Sequence, residues 1–113
     1  MKINDLVPFP DGKITFRLSS FKSIPKEAGC YVLTSFEDDI LYIGLTDNLF
    51  ARFQQHLANS LKTLTTVKGK VIWFYFMPYN RNNLPKLERT WLNQYESQVG
   101  SLPILNKVNS PIN

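Results

Sequence analysis

Two short apolar runs on either side of a polar break constrain the fold of this chain more than any other feature. The runs cover residues 29–34 and 41–45, and the largely polar stretch 35–39 lies between them. Runs of this length around a polar break predict a β-hairpin. We place its two strands at about residues 28–34 and 39–45.

The register of this hairpin decides whether its two tyrosines meet. A four-residue loop would pair Thr34 with Asp39, and Tyr31 would then lie opposite Tyr42. Residues directly opposed in an antiparallel pair share one face of the sheet, whereas a shift of one residue moves them to opposite faces. With a loop of four residues we therefore expect the two tyrosines to share a face.

An amphipathic helix should follow the hairpin, at about residues 47–59. Asp47 or Asn48 is suited to open it, because either side chain can accept a hydrogen bond from the first turn. Within the helix, Arg52 and His56 are four residues apart and are therefore neighbours on one face. The unit can thus present two tyrosines, one arginine and one histidine together.

The rest of the chain contains two more predicted strands and a second helix. Residues 13–18 alternate between polar and apolar, which predicts a short strand that either joins the edge of the sheet or covers the core. Residues 70–77 are almost entirely apolar, which is typical of a central strand covered on both faces. We predict a helix over residues 84–99, ended by Gly100, and an extended tail over residues 101–113.

These elements predict one α/β domain of the α+β type, with a small central sheet of three mostly antiparallel strands flanked by helices. A length of 113 residues is that of one compact domain, and 43% hydrophobic residues suffice for its core. No apolar run approaches a membrane span, and the N-terminus lacks the apolar stretch of a signal peptide. The single cysteine, Cys30, excludes an internal disulfide. It fits a reducing compartment, so we expect the protein to be cytoplasmic.

The charge balance is basic, with 13 Lys and Arg residues against 9 Asp and Glu residues and a net charge of +4. Such a balance is compatible with a nucleic-acid partner. Lys62, Lys68 and Lys70 lie in or beside the connection between the first helix and the next strand, and Arg89 lies on the second helix. We expect these four side chains to contact DNA phosphates.

An ordered set of residues carries a family resemblance. The set consists of Gly29-Cys30-Tyr31, then Tyr42-Ile43-Gly44, then Asn48, Arg52 and His56. It resembles the GIY-YIG nuclease family, which includes the incision subunit of bacterial excision repair, intron-encoded homing endonucleases and some restriction enzymes. The resemblance covers about residues 27–108, so residues 1–26 are expected to be an N-terminal extension of a single domain spanning residues 1–113.

The resemblance implies a role for each reactive side chain. It makes Tyr31 the general base and Tyr42 its partner at the phosphate. Arg52 would face the phosphate with its planar set of donors, and His56 would assist the base or donate to the phosphate. Asn106 falls where the family has a late asparagine, and it would hydrogen-bond a phosphate oxygen or brace a catalytic side chain.

The resemblance also implies a divalent metal ion, Mg²⁺ or Mn²⁺. Glu88, in the second predicted helix, falls where the family places its metal-binding glutamate. Mg²⁺ is typically held by one or two carboxylates, with substrate phosphates and waters completing its shell, so a single Glu88 fits this habit. Glu96 lies two turns further along the same helix and is expected to be more exposed.

We expect DNA to be contacted near the start of the first helix as well as by the basic residues. Gly44 has no side chain, and backbone there would let a ligand approach closely. The complete set of expected DNA-contacting residues is Gly44, Thr46, Asn48, Lys62, Lys68, Lys70 and Arg89.

Two residues depart from the family pattern. Cys30 replaces the isoleucine in the middle of the first motif, which remains an apolar position. Leu45 stands where many members carry a basic or polar residue, so one phosphate contact or base activator has no counterpart there.

The leading hypothesis is a stand-alone, metal-dependent endonuclease that hydrolyses phosphodiester bonds of double-stranded or branched DNA in repair or recombination. The alternative, of a different class, is a non-catalytic or recruited module of the same fold that binds nucleic acid or a partner protein. Only short flanks remain outside the motif region. Sequence specificity would therefore come from these flanks, from the connection at residues 60–70, from a homodimer or from a recruiting protein.

Overall fold

A four-stranded antiparallel sheet forms the centre of the molecule. The structure is a computed structural model that describes residues 1–109. Its strands are β1 (Gly12–Thr15), β2 (Gly29–Thr34), β3 (Ile40–Thr46) and β4 (Trp73–Pro78), arranged in the order β1-β4-β2-β3. The predicted small antiparallel sheet with flanking helices is confirmed. It has one strand more than the three expected, because β1 joins the edge of the sheet beside β4.

Helices cover both faces of this sheet. They are α1 (Leu49–Leu57), α2 (Ser60–Thr63), α3 (Leu84–Val99) and α4 (Ile104–Asn109), with short 3-10 helices at Ile3–Asp5, Leu18–Ser23 and Arg81–Asn83. The bounds of α3 match the prediction, and Gly100 follows it in the left-handed conformation, with φ of 89°. Within the part of the chain that the structure describes, no helix is long and apolar enough to cross a membrane.

The C-terminal segment differs from its prediction. An extended tail was expected over residues 101–113, but residues 104–109 form α4. The Asn106 amide donates to the Pro103 carbonyl at 3.0 Å, and the buried Leu105 side chain packs into the apolar cluster beneath α1. Burial of this leucine is a tertiary effect that the local pattern does not reveal. Residues 110–113 of the predicted tail lie outside the described residues.

A β-bulge in β3 sets the register of the hairpin. Thr34 pairs with Ile40 and not with Asp39, so the predicted register is wrong. Leu41 is then skipped before regular pairing resumes. The turn differs from the expected four-residue loop because the Ser35 hydroxyl accepts a hydrogen bond from the Asp39 amide at 3.1 Å. The connection is thereby one residue longer, and the bulge restores the pattern beyond it.

The two tyrosines nevertheless share one face of the sheet. Tyr31 lies directly opposite Gly44, and Leu33 lies opposite Tyr42. Since Tyr42 is two residues from Gly44, it is a diagonal neighbour of Tyr31 on the same face. The expected common face is therefore present, although the two rings are not directly opposed.

Alternate residues of the central strands face two separate apolar clusters. Cys30 and Val32 of β2 pack beneath α3, whereas Tyr31 and Leu33 face α1 and α4. Every residue of β2 is buried, and β4 lies between β1 and β2 as its apolar sequence predicted. The sheet is therefore the middle layer of three, with the tyrosines on the face covered by α1 and α4 and with α3 on the other.

Candidate active site

The two motif glycines allow the strands and the tyrosines to pack closely. A Cβ at Gly44 would lie 2.7 Å from the Cζ and hydroxyl oxygen of Tyr31 and 2.8 Å from Cε1 of Tyr42. A Cβ at Gly29 would lie 2.6 Å from the Met77 carbonyl oxygen and 2.7 Å from Cδ1 of Leu49. The space above Gly44 is thus filled by Tyr31. Gly44 is therefore buried beneath the tyrosine, and its contact with a ligand remains a prediction.

A column of stacked aromatic rings fixes the position of Tyr31. Its ring lies between Phe74 of β4, with centroids 5.3 Å apart and planes at 8°, and Tyr42 of β3, with centroids 5.9 Å apart and planes at 28°. The ring of Phe53 of α1 packs against Phe74 in an edge-to-face arrangement, with the two centroids 5.0 Å apart. Offset stacking and edge contacts of this kind are favourable beyond the apolar area that they bury. The Tyr31 ring is therefore held on both sides.

The turn between β3 and α1 sets the direction of the helix. The Asn48 side chain accepts a hydrogen bond from the Ala51 amide at 3.0 Å and so caps α1, as predicted. The Thr46 hydroxyl donates to the Asn48 carbonyl and accepts from the Asn48 amide. Because these two side chains build the turn, Arg52 and His56 are presented toward the tyrosines.

The Tyr31 hydroxyl is the meeting point of the site. His56 Nε2 lies 2.7 Å from the Tyr31 hydroxyl oxygen, and the Arg52 Nη1 group donates to the same oxygen at 3.5 Å. The His56 ring also meets the Tyr42 ring edge-on, with centroids 5.2 Å apart. The structure therefore brings together four of the predicted site residues, Tyr31, Tyr42, Arg52 and His56.

Burial keeps the ionisable groups of this cluster neutral. It raises the pKa of Tyr31 well above its ordinary value, and Tyr42 adds to the rise while Arg52 opposes it. Burial likewise raises the pKa of Tyr42. The pKa of His56 falls to about 3, first through burial and then through the positive charges of Lys62 and Arg52. Near neutral pH the imidazole is therefore uncharged, and both phenols keep their protons.

Exposure divides the cluster into an inner and an outer part. Tyr31 is fully buried at 0% exposure, and His56 is 6% exposed. Tyr42 and Arg52 are only partly buried. A ligand that approaches from solvent would therefore meet Tyr42 and Arg52 first, with Tyr31 behind them.

Lys62 occupies a position that the sequence did not indicate. It was expected on a surface connection, but it lies on α2 and is only 1% exposed. Its Nζ atom lies 4.5 Å from the centroid of the Tyr42 ring. The break between α1 and α2 places it there, and the Asn59 side chain, which caps α2, is a local signal of that break.

Asn106 clamps the main chain of β3. Its side-chain oxygen accepts from the Ile43 amide, and its side-chain nitrogen donates to the Ile43 carbonyl, both at 2.9 Å. Since β3 is an edge strand, these two bonds take the place of a neighbouring strand. Ile43 stands between Tyr42 and Gly44, so Asn106 holds the second motif in place. Of the two roles implied by the resemblance, this contact favours bracing over binding of phosphate.

Glu88 lies apart from the hydroxyl cluster, on α3 at the opposite face of the sheet. It is half-buried, and burial raises the pKa of its carboxyl group while Arg89 opposes the rise. Its charge helps to raise the pKa of Tyr42, so the carboxylate acts electrostatically on the cluster. It also lies beside Cys30, whose pKa is raised to about 12, mainly by burial.

The donor set suits a loosely held divalent ion rather than a closed metal cage. Among residues 1–109, no group of three or more His, Cys, Asp or Glu side chains is placed to hold a metal. Glu88 forms no salt bridge within that part of the chain, and one carboxylate supplemented by phosphates and waters suits Mg²⁺. Glu88 therefore fits the ion that the fold family implies.

The remaining residues expected to contact DNA fall into two groups. Thr46 is buried and Asn48 is partly buried, and their side chains are already used in the turn before α1. Lys68, Lys70 and Arg89 are exposed. The two lysines line a groove of about 330 Å³ together with Phe36 and Glu37. The exposed group can meet a phosphate backbone without changing the fold.

Known proteins share the region that contains this cluster. The model of the GIY-YIG catalytic domain matches residues 27–100. UvrABC system protein C of Aster yellows witches'-broom phytoplasma (strain AYWB) is 32% identical over 73 residues, which is 63% of this chain and 12% of that protein. The protein of the same name from Mycoplasma genitalium is 29% identical over 77 residues, which is 66% of this chain and 13% of that protein. The chain thus spans about an eighth of the length of these relatives.

The matched region contains both tyrosine motifs, the α1 residues Arg52 and His56, and Glu88 of α3. It extends over more than half of the chain and contains three of the four strands of the sheet together with α1 and α3. The chain therefore belongs to the GIY-YIG catalytic domain family.

Proposed function

We propose that this domain is an endonuclease that hydrolyses DNA phosphodiester bonds with the help of Mg²⁺ or Mn²⁺. The observation that carries the proposal is the cluster around the Tyr31 hydroxyl, where His56 lies at 2.7 Å and Arg52 at 3.5 Å. The guanidinium of Arg52 is partly exposed and forms no salt bridge with a carboxylate of the described residues. Such a group is suited to an anionic ligand, and a phosphodiester supplies that charge.

Arg52 and Tyr42 would hold the phosphate. Both are partly exposed, and the guanidinium can donate two parallel hydrogen bonds to phosphate oxygens. The charge that grows on these oxygens during attack would be met by donors that are already in position, which is the main source of rate enhancement in such sites.

His56 is the base that this geometry supports. It is uncharged near neutral pH because its pKa is about 3. In the tautomer that carries its proton on Nδ1, Nε2 accepts from the Tyr31 hydroxyl. Tyr31 can then give its proton to His56 as it receives another from a neighbouring donor. A pKa of about 3 makes this imidazole a weak base in the free domain, so the transfer depends on a bound phosphate, whose negative charge opposes the nearby cations and raises the pKa of His56.

Tyr42 would connect the water to Tyr31. Tyr31 is fully buried, whereas Tyr42 is partly exposed, and the two hydroxyl groups are close enough to shift one another's pKa. The proton would therefore pass from the water through Tyr42 and Tyr31 to His56. In this scheme Tyr31 keeps its place at the base, as the resemblance implies, but it acts as a relay.

Glu88 is the residue that would hold the divalent ion. When bound, such an ion stabilises the charge on the phosphate and on the departing oxygen. Glu88 approaches the tyrosine cluster from the α3 side, since its charge reaches Tyr42. It would therefore act on the phosphate from the α3 side, whereas His56 acts from α1.

We propose double-stranded or branched DNA as the substrate, in a repair or recombination process. The relatives named UvrABC system protein C and the family's incision and homing nucleases support DNA as the substrate class. We propose further that a second copy of the chain or a recruiting protein supplies specificity, since the exposed Lys68, Lys70 and Arg89 are suited to contact phosphates without reading bases.

One observation favours a second candidate function, a nucleic-acid-binding module that does not cut. The Tyr31 hydroxyl is fully buried and already engaged with His56 and Arg52. If no proton path reaches this hydroxyl, the site would bind a phosphate group but would not hydrolyse the phosphodiester bond. The two candidates share the fold and differ only in turnover.

Incubation with supercoiled plasmid separates these two functions. Wild-type protein with Mg²⁺ or Mn²⁺ should convert the plasmid to nicked or linear forms, and an EDTA control should not. A protein that shifts the plasmid on a gel but leaves it intact in both metals would support the binding module and overturn the nuclease.

A further inference from the structure

Lys62 is the most buried charged side chain of the described residues. It is 1% exposed, whereas lysines almost always keep their ammonium group in water. Its Nζ atom lies 4.5 Å from the centroid of the Tyr42 ring, within the range of a cation–π contact. Burial of a lysine costs free energy, so the position calls for a reason beyond filling space.

The surroundings of Lys62 make its charge more costly. Within residues 1–109, no Asp or Glu forms a salt bridge with it. Burial, followed by repulsion from Arg52, lowers its pKa to about 8. Its positive charge also helps to lower the pKa of His56. The ammonium group is thus destabilised by its neighbours, and a methionine of similar shape would remove this cost.

Tyr42 is the contact through which such a charge can act. Its ring stacks on Tyr31, makes an edge-to-face contact with His56 and is also in contact with the ammonium group of Lys62. Tyr31 is also held by Phe74, but Tyr42 lies on the edge strand β3 and is partly exposed. A cation–π contact that is shielded from water is stronger than one at the surface, so it can favour one position of the ring.

We propose that Lys62 is a positioning residue for Tyr42. Its charged group holds the Tyr42 ring over the site, so that the hydroxyl lies at the phosphate and against Tyr31. This inference rests on the proposed function for its effect on cleavage, but it predicts the position of the Tyr42 ring whether or not the protein cuts DNA.

The variant Lys62→Met tests the inference, because it keeps the apolar stem and removes the charge. We expect the variant to unfold at the same or a higher temperature than wild type, since a destabilised buried charge is gone. We expect kcat to fall about 10- to 100-fold, with DNA affinity nearly unchanged because exposed lysines supply most of the phosphate contacts. Lys62→Arg keeps a cation over the ring and should restore part of the rate. Lys62→Gln serves as a second neutral variant.

Lys13 offers a matched control. Its Nζ atom lies 4.2 Å from the Trp73 ring, also as a cation–π pair, but on β1 and exposed to solvent. Lys13→Met should leave kcat at the wild-type value. A double-mutant cycle then shows whether Lys62 acts through Tyr42: in a Tyr42→Phe background, Lys62→Met should cost much less than it does in wild type.

A spectrum of the ring separates this inference from the nuclease proposal. In protein with ¹³C-labelled tyrosine, Tyr42 is identified by the signal missing from Tyr42→Phe. Lys62→Met should move the Tyr42 ring signal and leave those of Tyr75, Tyr79 and Tyr95 in place. If wild type does not cut DNA, the proposed function fails, and this spectrum alone decides the inference.

Three results would overturn the inference. The first is a Tyr42 ring signal that stays unchanged in Lys62→Met. The second is a decrease in kcat from Lys62→Met that is equally large in wild type and in the Tyr42→Phe background. The third is a failure of both neutral variants to fold, which would show that Lys62 is structural.

Discussion

Glu88 and Tyr31 have separate tasks in the proposed reaction, and single substitutions distinguish them. Glu88 lies on α3 and acts on the cluster by charge, whereas Tyr31 lies at its centre and acts by hydrogen bonds. Loss of a carboxylate should therefore weaken binding of the ion. Loss of a hydroxyl should interrupt the proton path and leave the ion in place.

Glu88→Gln keeps the shape and the helix propensity of the side chain but removes its charge. We expect the fold and the DNA affinity to remain nearly unchanged and cleavage to fall by about 1,000-fold or more, since metal stabilisation is worth several kcal/mol and about 1.36 kcal/mol is tenfold in rate. Calorimetric titration with Mn²⁺ should show weaker binding, and high Mg²⁺ should restore part of the rate. Glu96, which is exposed on the same helix, provides the control Glu96→Gln. If Glu88→Gln cleaved DNA at the wild-type rate and Glu96→Gln did not cleave it, Glu96 would be the residue that holds the ion.

Tyr31→Phe removes only the hydroxyl at the meeting point of the site. The stack with Phe74 and Tyr42 should persist, so we expect a folded protein that binds Mn²⁺ as wild type does. Cleavage should fall by about 100-fold or more, within the range of a lost general base or relay. Extra Mg²⁺ should not restore it. A rate close to that of wild type would show that the proton takes another path.

His56 makes stability depend on pH in a defined direction. Its pKa is about 3 in the fold, compared with 6.5 for the free side chain, so the unfolded chain binds the extra proton first. The free energy of unfolding should therefore fall as pH drops from about 6.5 toward 3, with a slope approaching about 1.4 kcal/mol per pH unit. Urea unfolding of wild type and His56→Gln across this range isolates the effect. Parallel pH curves for the two proteins would contradict it.

At the scale of secondary-structure elements, the hairpin and α4 together build the site. The bulge at Leu41 places Tyr31 opposite Gly44, and the Asn106 side chain binds the main chain of Ile43 at the open edge of β3. An edge strand with unpaired groups is easily distorted or paired with another chain. The asparagine therefore protects the strand that carries the second tyrosine motif.

Gly44→Ala tests this arrangement of strands. The added Cβ would lie 2.7 Å from the Tyr31 ring, so β3 must move or the tyrosine must tilt. We expect a loss of about 1–3 kcal/mol in the free energy of unfolding, as for other overpacked sites, and a loss of cleavage. Urea unfolding measures the first and plasmid nicking the second.

The matched background for this test is Tyr31→Leu, whose smaller side chain leaves room above residue 44. The cost of Gly44→Ala should be lower there than in wild type. An equal cost in both backgrounds would show that the strain lies elsewhere in the strand pair.

At the scale of the whole molecule, exposed charge governs the encounter with DNA. Each neutralised phosphate contributes about −0.9 to the slope of log affinity against log salt, and a domain of this size would contact about four to six phosphates. Lys68→Glu with Lys70→Glu should weaken binding and reduce the steepness of this slope by about two. The cleavage positions should stay the same. Fluorescence anisotropy over a series of salt concentrations gives the slope directly.

A second pair of exposed lysines controls for net charge. Lys22→Glu with Lys26→Glu changes the total charge by the same amount on another part of the surface. An equal loss of affinity in both double variants would mean that net charge alone attracts DNA. Lys62, which was also expected to contact phosphates, is not changed in this experiment because it is buried beside Tyr42.

Local patterns in the sequence determined most of the elements of this protein. The apolar and polar alternation of residues 84–99, with a proline at the start and Gly100 after the end, defined α3. The polar Asn48 after a short apolar run defined the start of α1. Helix caps and the four-residue spacing of Arg52 and His56 depend on neighbouring residues, so they can be read without knowledge of the fold.

Tertiary structure alone decided how these elements meet. The bulge depends on how the turn at residues 35–39 closes, and α4 depends on a buried leucine that needs a partner surface. Lys62 and Asn106 reach the site because the chain folds back twice, after α1 and after α3. Contacts between residues far apart in sequence leave no local periodicity, which is why the sequence identified the reactive side chains but not the contacts that Lys62 and Asn106 make with β3.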